Sequence, residues 1–169
     1  GCGKPTIAAR LAAALNCKLI EGDDFHLPQS KRKMRQGIPL DDDDRWPWLD
    51  RLGMLLAGAS GDTVLTCSAL KRIYRDRLRA AVPDLKIVFI DIAPDEARAR
   101  VAGRSGHLFP ASLVASQFAA LESPVGEPEV LPVRAPQSIE AQVQAICDWL
   151  GRAVYIAPAS IATGLPTCA

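Results

Sequence analysis

The chain opens "GCGKPTIAARLAAAL" (1–15), a Gly1-x-Gly3-Lys4 start followed by Ile7, Leu11 and Leu15 on one helical face. Glycines let backbone N–H groups curl around an anion, a lysine adds charge, and a helix N-terminus adds its dipole. That combination reads as a phosphate-binding loop entering its helix. The full pattern is G-x-x-x-x-G-K-[ST]. Gly3 and Lys4 supply its GK, its first glycine falls before residue 1, and Pro5 stands where a hydroxyl is expected. Proline suits a helix's first turn but brings no oxygen for Mg²⁺. Thr6 comes one residue later, turned ~100° around the helix. Alone, this stretch is equally consistent with a glycine-rich helix start that holds no phosphate.

A phosphate loop follows a strand. Here that strand, which should be central in the sheet, would precede residue 1. With no initiator Met, the chain reads as a fragment or a processed product.

At 169 residues, 49% apolar and 23% charged, the composition fits one soluble globular domain. A net charge of +1 gives no drive toward nucleic acid or an acidic membrane. No apolar run is long enough for a membrane span, and the N-terminus lacks a signal peptide's basic start. Five cysteines, at 2, 17, 67, 147 and 168, are odd in number and show no CxxC spacing. That pattern argues for reduced thiols in a cytoplasmic protein, against a disulfide framework or a zinc site.

Short apolar runs alternate with helical patterns, which predicts an α/β fold with a mainly parallel sheet. A helix is expected over 4–15, a short strand leading into a loop in "CKLIEGD" (17–23) and a short basic helix in "QSKRKMRQG" (29–37). "DDDDRWPWLDRLGMLLAGA" (41–59) reads as an acidic helix start with Pro47 in the first turn. Strands follow in "DTVLTCSAL" (62–70), "LKIVFIDI" (85–92) and "PEVLPV" (128–133), with helices between them and a last one in "SIEAQVQAICDWL" (138–150). The tail 151–169 has no clear period and reads as disordered; "AVYIA" (153–157) is its only unassigned β-like stretch.

Four stretches in order carry a resemblance: "EGDDFHLPQSKRKMRQGIPLDDDDRWPWL" (21–49), "CSALKRIYRDRLR" (67–79), "RSGHLFPASLVASQF" (104–118) and "LESP" (121–124). Their spacing, with D-R-x-P-W-L and C-S-A-L-K-x-x-Y-R-D as the specific pieces, resembles the gluconokinase family. These are small P-loop kinases with the fold of shikimate and nucleoside monophosphate kinases. The likeness covers about residues 1–150, leaving 151–169 as a tail. Leu27 takes the family's proline position, Ser30 an asparagine and Leu108 a phenylalanine.

The resemblance implies a three-layer P-loop kinase that phosphorylates D-gluconate to 6-phosphogluconate with ATP and Mg²⁺. It leaves open another small polyol or acid as acceptor, or a catalytically impaired relative acting as a binding protein. It implies a small-molecule partner and a homodimer, which is frequent in the family. Gly1, Cys2, Gly3, Lys4, Pro5 and Thr6 would line the nucleotide. Asp23, directly after the expected strand "KLIEG" (18–22), lies on the sheet edge where α/β ligands bind, and by resemblance is the general base. His26, Lys33, Arg45, Lys71, Arg75 and His107 would meet the acceptor. Arg104, with His107 in a lid at about 104–112, would stabilise the transferring phosphoryl group. Gln117 and Glu122 would fix the lid's helix in place. No residue is assigned to metal; Asp42 and Asp44 shape their loop.

Overall fold

The structure is a computed structural model that describes residues 2–103 and 112–153. Gly1, Arg104, His107, most of the expected lid and the tail from residue 154 lie outside the described residues.

The chain alternates strand and helix. Helix α1 (Lys4–Leu15) leads to β1 (Lys18–Glu21), then a 3₁₀ turn (Gly22–Phe25), α2 (Pro28–Arg35) and α3 (Asp42–Ala57). Strand β2 (Thr63–Thr66) and α4 (Arg72–Ala81) follow, then β3 (Ile87–Asp91), α5 (Pro94–Ala102), α6 (Ser112–Ala120), β4 (Val130–Arg134) and α7 (Ile139–Trp149). The strands expected from sequence are all present and all paired in parallel. β1 runs beside β2 with Ile20 opposite Leu65, and β3 beside β4 with Phe89 opposite Pro132. Among the described residues these are two separate pairs, joined by packing rather than by one ladder.

Alternation along β2 builds the layers. Val64 packs with Ile7 and Leu11 of α1, Val88 and Ile90 of β3, and Val143 and Ile146 of α7. Leu65, the next residue, packs on the opposite side with Leu49 and Leu52 of α3 and Leu78 of α4. A strand's side chains point to alternate faces, so two neighbouring apolar residues serve two cores. Leu49 and Leu52 are wholly buried, each stabilising the fold by about 1.5–3 kcal/mol.

Local chemistry sets the helix ends. Asp41 caps α3: its carboxylate accepts the Asp44 N–H at 2.8 Å, and the Asp44 carboxylate accepts the Asp41 N–H at 3.3 Å. This reciprocal cap fixes the first helical residue at Asp42. Pro47 therefore lies beyond the first turn, correcting the expectation, and leaves the Asp43 carbonyl without its usual intrahelical donor. Pro28 and Pro94 do open their helices.

Gly22 is demanded by space. A Cβ there would stand 2.1 Å from the Thr66 carbonyl oxygen. Its N–H donates to Thr66 Oγ1 at 3.2 Å, tying the end of β1 to β2. Among the described residues, no helix is long and apolar enough to cross a membrane.

Candidate active site

Gly3 caps α1 with φ 96°, a left-handed conformation that favours glycine, and no side chain caps the helix N-terminus. The Lys4 ammonium sits at that end, 3.9 Å from Cys2 Sγ. Burial works against its charge; the surrounding Cys2, Asp23, Cys67 and Glu21 more than offset it, so its pKa is displaced upward. Lys4 is thus a firmly protonated cation at a helix start where Pro5 has no N–H and the Thr6 N–H turns back to the Gly3 carbonyl at 3.1 Å, so its ammonium and the helix dipole are what suit phosphate oxygens.

Asp23 follows the Gly22 anchor directly. Trp48 Nε1 of α3 donates to the Gly22 carbonyl at 2.8 Å, so the turn is held from both sides. The Asp23 side chain is 36% exposed and within electrostatic reach of Lys4. Cys67 is no rival as a nucleophile: burial pushes its thiol up to about 12.

His26 differs from expectation. Its side chain is 1% exposed and stacked on Trp48, with ring centroids 4.1 Å apart. Nε2 lies 3.8 Å from Asp23 Oδ1, and Nδ1 has no hydrogen-bond partner among the described residues. Burial, reinforced by the Arg45 and Lys31 charges and opposed by Asp44, lowers its pKa to about 4. A folded pKa below the ordinary 6.5 means that the unfolded chain takes the proton first. His26 therefore supports the fold fully above pH 6.5 and loses that support as pH falls toward 4, by up to about 3 kcal/mol. Thermal melts of wild type and His26→Gln at pH 7 and pH 4.5 check this. The wild type is expected to lose more stability than the variant; equal losses would exclude the effect.

Beside this cluster, a cavity of about 500 Å³ opens between α2, α3, α4 and α6. Met34, Leu40, Leu70 and Leu113 give it apolar patches, and Arg45, Lys71, Asp42, Tyr74 and Gln117 a polar wall. Lys71 Nζ lies 2.6 Å from Asp42 Oδ1, which also accepts the Tyr74 hydroxyl. Lys33 pairs with Asp44 at 2.6 Å and does not reach the cavity wall.

Arg45 is different from these lysines. It is 6% exposed, its guanidinium lies 5.5 Å from the Tyr74 ring centroid, and it donates one long bond, 3.5 Å, to the Ser68 carbonyl. Among the described residues no carboxylate pairs with it, and residues 104–111 and 154–169 contain no Asp or Glu. Its charge reaches Asp42 and helps lower that carboxyl's pKa, yet no carboxylate among the described residues forms an ion pair with it, which leaves its fork open to an anion.

Arg75 is a second correction. Its Nε and Nη2 bind Glu127 at 3.1 and 2.5 Å, and Nη1 donates to the Ala69 and Leu70 carbonyls at 3.0 Å each. Arg79 joins the same carboxylate at 2.9 Å. The basic face of α4 therefore turns to the segment after α6, and only Lys71 reaches the cavity. Glu122 fastens the same loop: its N–H donates to the Leu70 carbonyl, and its carboxylate accepts the Arg72 N–H at 2.6 Å.

Among the described residues no cluster of side chains forms a protein-held Mg²⁺ site. Pro5 supplies no hydroxyl, Thr6 is exposed, and no three His, Cys, Asp or Glu side chains cluster among the described residues. Sequence reasoning assigned Tyr74 no role and Gln117 only an anchoring one. A tyrosine in a basic helix and a glutamine in an apolar one carry no signal of a cavity made by distant helices.

No protein-family model matches the chain. The thermosensitive gluconokinase of Escherichia coli (strain K12) is 42% identical over 127 residues, covering 73% of this chain and 68% of that one. A gluconokinase of Gluconobacter oxydans (strain 621H) is 44% identical over 137 residues, covering 79% and 76%. The crystal structure of a gluconokinase from Sinorhizobium meliloti 1021 superposes with a TM-score of 0.82 at 41% identity, covering 89% and 86%. Likeness of this depth across both sequence and fold settles the ancestry: the chain belongs to the gluconokinase family.

Proposed function

We propose that this chain transfers the terminal phosphoryl group of ATP to the terminal hydroxyl of gluconate, giving 6-phosphogluconate and ADP. The observation that carries this reading is Arg45, a buried guanidinium in a cavity wall with no carboxylate in an ion pair with it among the described residues. A sugar acid supplies what that wall lacks. Its carboxylate takes the fork of Arg45, a geometry that suits bidentate binding, and its polyol chain extends toward Asp23.

Asp23 orients the terminal hydroxyl and accepts its proton as the oxygen bonds to phosphorus and the bond to the ADP oxygen breaks. General-base help of this kind is worth roughly 10²–10⁴ in rate. Lys4 and the N-terminal end of α1 hold the phosphates and stabilise the charge that moves onto the leaving group. Arg104 and His107 keep the roles the resemblance gives them, at the transferring phosphoryl group and the acceptor. Mg²⁺ carried by the nucleotide would supply charge neutralisation at the phosphates, beside Lys4. Lys33 acts through Asp44, shaping the start of α3, and Lys71 adds a second positive group at the cavity wall.

The test is ADP release measured with gluconate, with a neutral hexitol, with shikimate and with no acceptor. The expected result is release that depends on gluconate, at least about tenfold above the neutral hexitol, the share a charged hydrogen bond provides. Equal rates with all four additions would overturn the reading.

A further inference from the structure

The cavity wall holds one more group whose chemistry has no use yet. Asp41 and Asp42 are committed to the α3 cap and to Lys71 with Tyr74. The Ser116 hydroxyl donates to the Leu113 carbonyl at 2.9 Å. Asp43 is exposed and, as a carboxylate, only accepts. Arg45 and Lys71 only donate. Gln117 remains: half-buried on α6, lining the cavity, with its carboxamide in no hydrogen bond among the described residues. It is the one uncharged side chain on this wall whose donor and acceptor are both uncommitted.

A secondary hydroxyl both donates and accepts, and a polyol presents several in a row. A carboxamide matches that pattern; a carboxylate, an ammonium or a guanidinium each matches half of it. We propose that Gln117 reads the secondary hydroxyls of the acceptor, making α6 the specificity wall of the cavity, in place of the anchoring role expected from sequence. This rests on the sugar-acid reading above and adds to it the residue that distinguishes one polyol acid from another. A site built to hydrogen-bond a hydroxyl rejects an analogue that lacks it, because its own polar group is then left unpaired.

The experiment compares wild type with Gln117→Leu, of nearly the same size, and with Gln117→Asn, which keeps the amide but shortens its reach. Each is assayed with gluconate and with gluconates lacking a single secondary hydroxyl. Wild type is expected to prefer gluconate by about 10–100-fold in kcat/KM over at least one deoxy analogue, the effect of one or two hydrogen bonds. In Gln117→Leu that ratio collapses to within about threefold, while the KM for ATP stays within about twofold of wild type. In Gln117→Asn the ratio falls between the two. An unchanged ratio in Gln117→Leu, with or without a general fall in rate, would overturn the assignment and return Gln117 to a packing role. Failure of the underlying reading is visible separately: wild type itself would turn over no sugar acid, and the assignment would fall with it.

Discussion

Replacing Asp23 by Asn lowers kcat by roughly 10²–10⁴, with little change in either KM and a fall of no more than about 3 °C in the melting temperature. The reason lies in how the turn is built. Gly22 is clamped by Trp48 through its carbonyl and by Thr66 through its N–H, so the backbone that carries residue 23 does not depend on the side chain there. Asn has the shape of Asp and loses only the charge and the basicity. The partly exposed carboxylate makes no hydrogen bond within the described residues, and Lys4 keeps Glu21 nearby, so the change costs little stability. Steady-state kinetics and a thermal melt on the same preparation measure both sides of this statement. A kcat within tenfold of wild type would remove Asp23 from proton transfer. A larger fall in melting temperature would show that the carboxylate holds the turn.

The second large effect concerns stability. Arg75→Met destabilises the protein by about 2–3 kcal/mol, because it leaves Glu127 with Arg79 as its remaining partner and takes a donor from the Ala69 and Leu70 carbonyls. Glu127 is only 10% exposed, and hydrogen bonds from Arg75, then Arg79, bring its pKa down to about 2 from 4.5 despite the opposing effect of burial. A depressed carboxylate pKa contributes stability that is complete above pH 4.5 and is lost as pH falls through 2. That window lies below the one set by His26, so acid titration separates the two. The expected fall in melting temperature for Arg75→Met is on the order of 10 °C for a chain of this size. Glu127→Gln in the Arg75→Met background should recover part of it, since a neutral amide is easier to bury than a charge that keeps one partner of two. A drop of less than about 1 kcal/mol in Arg75→Met would mean that the pair is screened as a surface ion pair is. The loop held by Arg75 carries Lys71 and Ser68, so the loss of stability also loosens one wall of the cavity.

Much of this was legible from the residues. Helix periodicity placed α1 and α7, and apolar runs placed the strands, because each of these elements buries a face whose spacing is set by its own geometry. Asp23 was legible for the same reason: a carboxylate directly after a strand must emerge at the sheet edge. The start of α3 could have been read more closely. Asp41 and Asp44 have the spacing of a reciprocal cap, which places Pro47 in the second turn; four aspartates in a row hid which one was the cap.

The misplacements share a physical cause, which is distance along the chain. Spacing at i and i+4 put Arg75 and Lys71 on one face of a helix. It could not say that Glu127, more than fifty residues later, would take Arg75 for the opposite side. His26 had the look of a ligand until Trp48 was stacked on it. Gln117 had the look of an anchor until α3 and α4 were found across a cavity from it. In each case a partner brought in by tertiary packing decided the role of a residue whose local pattern was read correctly.

The central claim is that Arg45 fixes the acid end of the substrate so that the terminal hydroxyl meets Asp23 and the phosphate held by Lys4. The position of the transferred phosphate tests it most directly. Phosphorus NMR of the product formed from gluconate and ATP, recorded with proton coupling, is expected to show a phosphomonoester split by the two protons of a terminal CH₂ group. A signal without proton coupling, as an acyl phosphate on the carboxylate would give, or one split by a single proton, as a secondary phosphate would give, would contradict it.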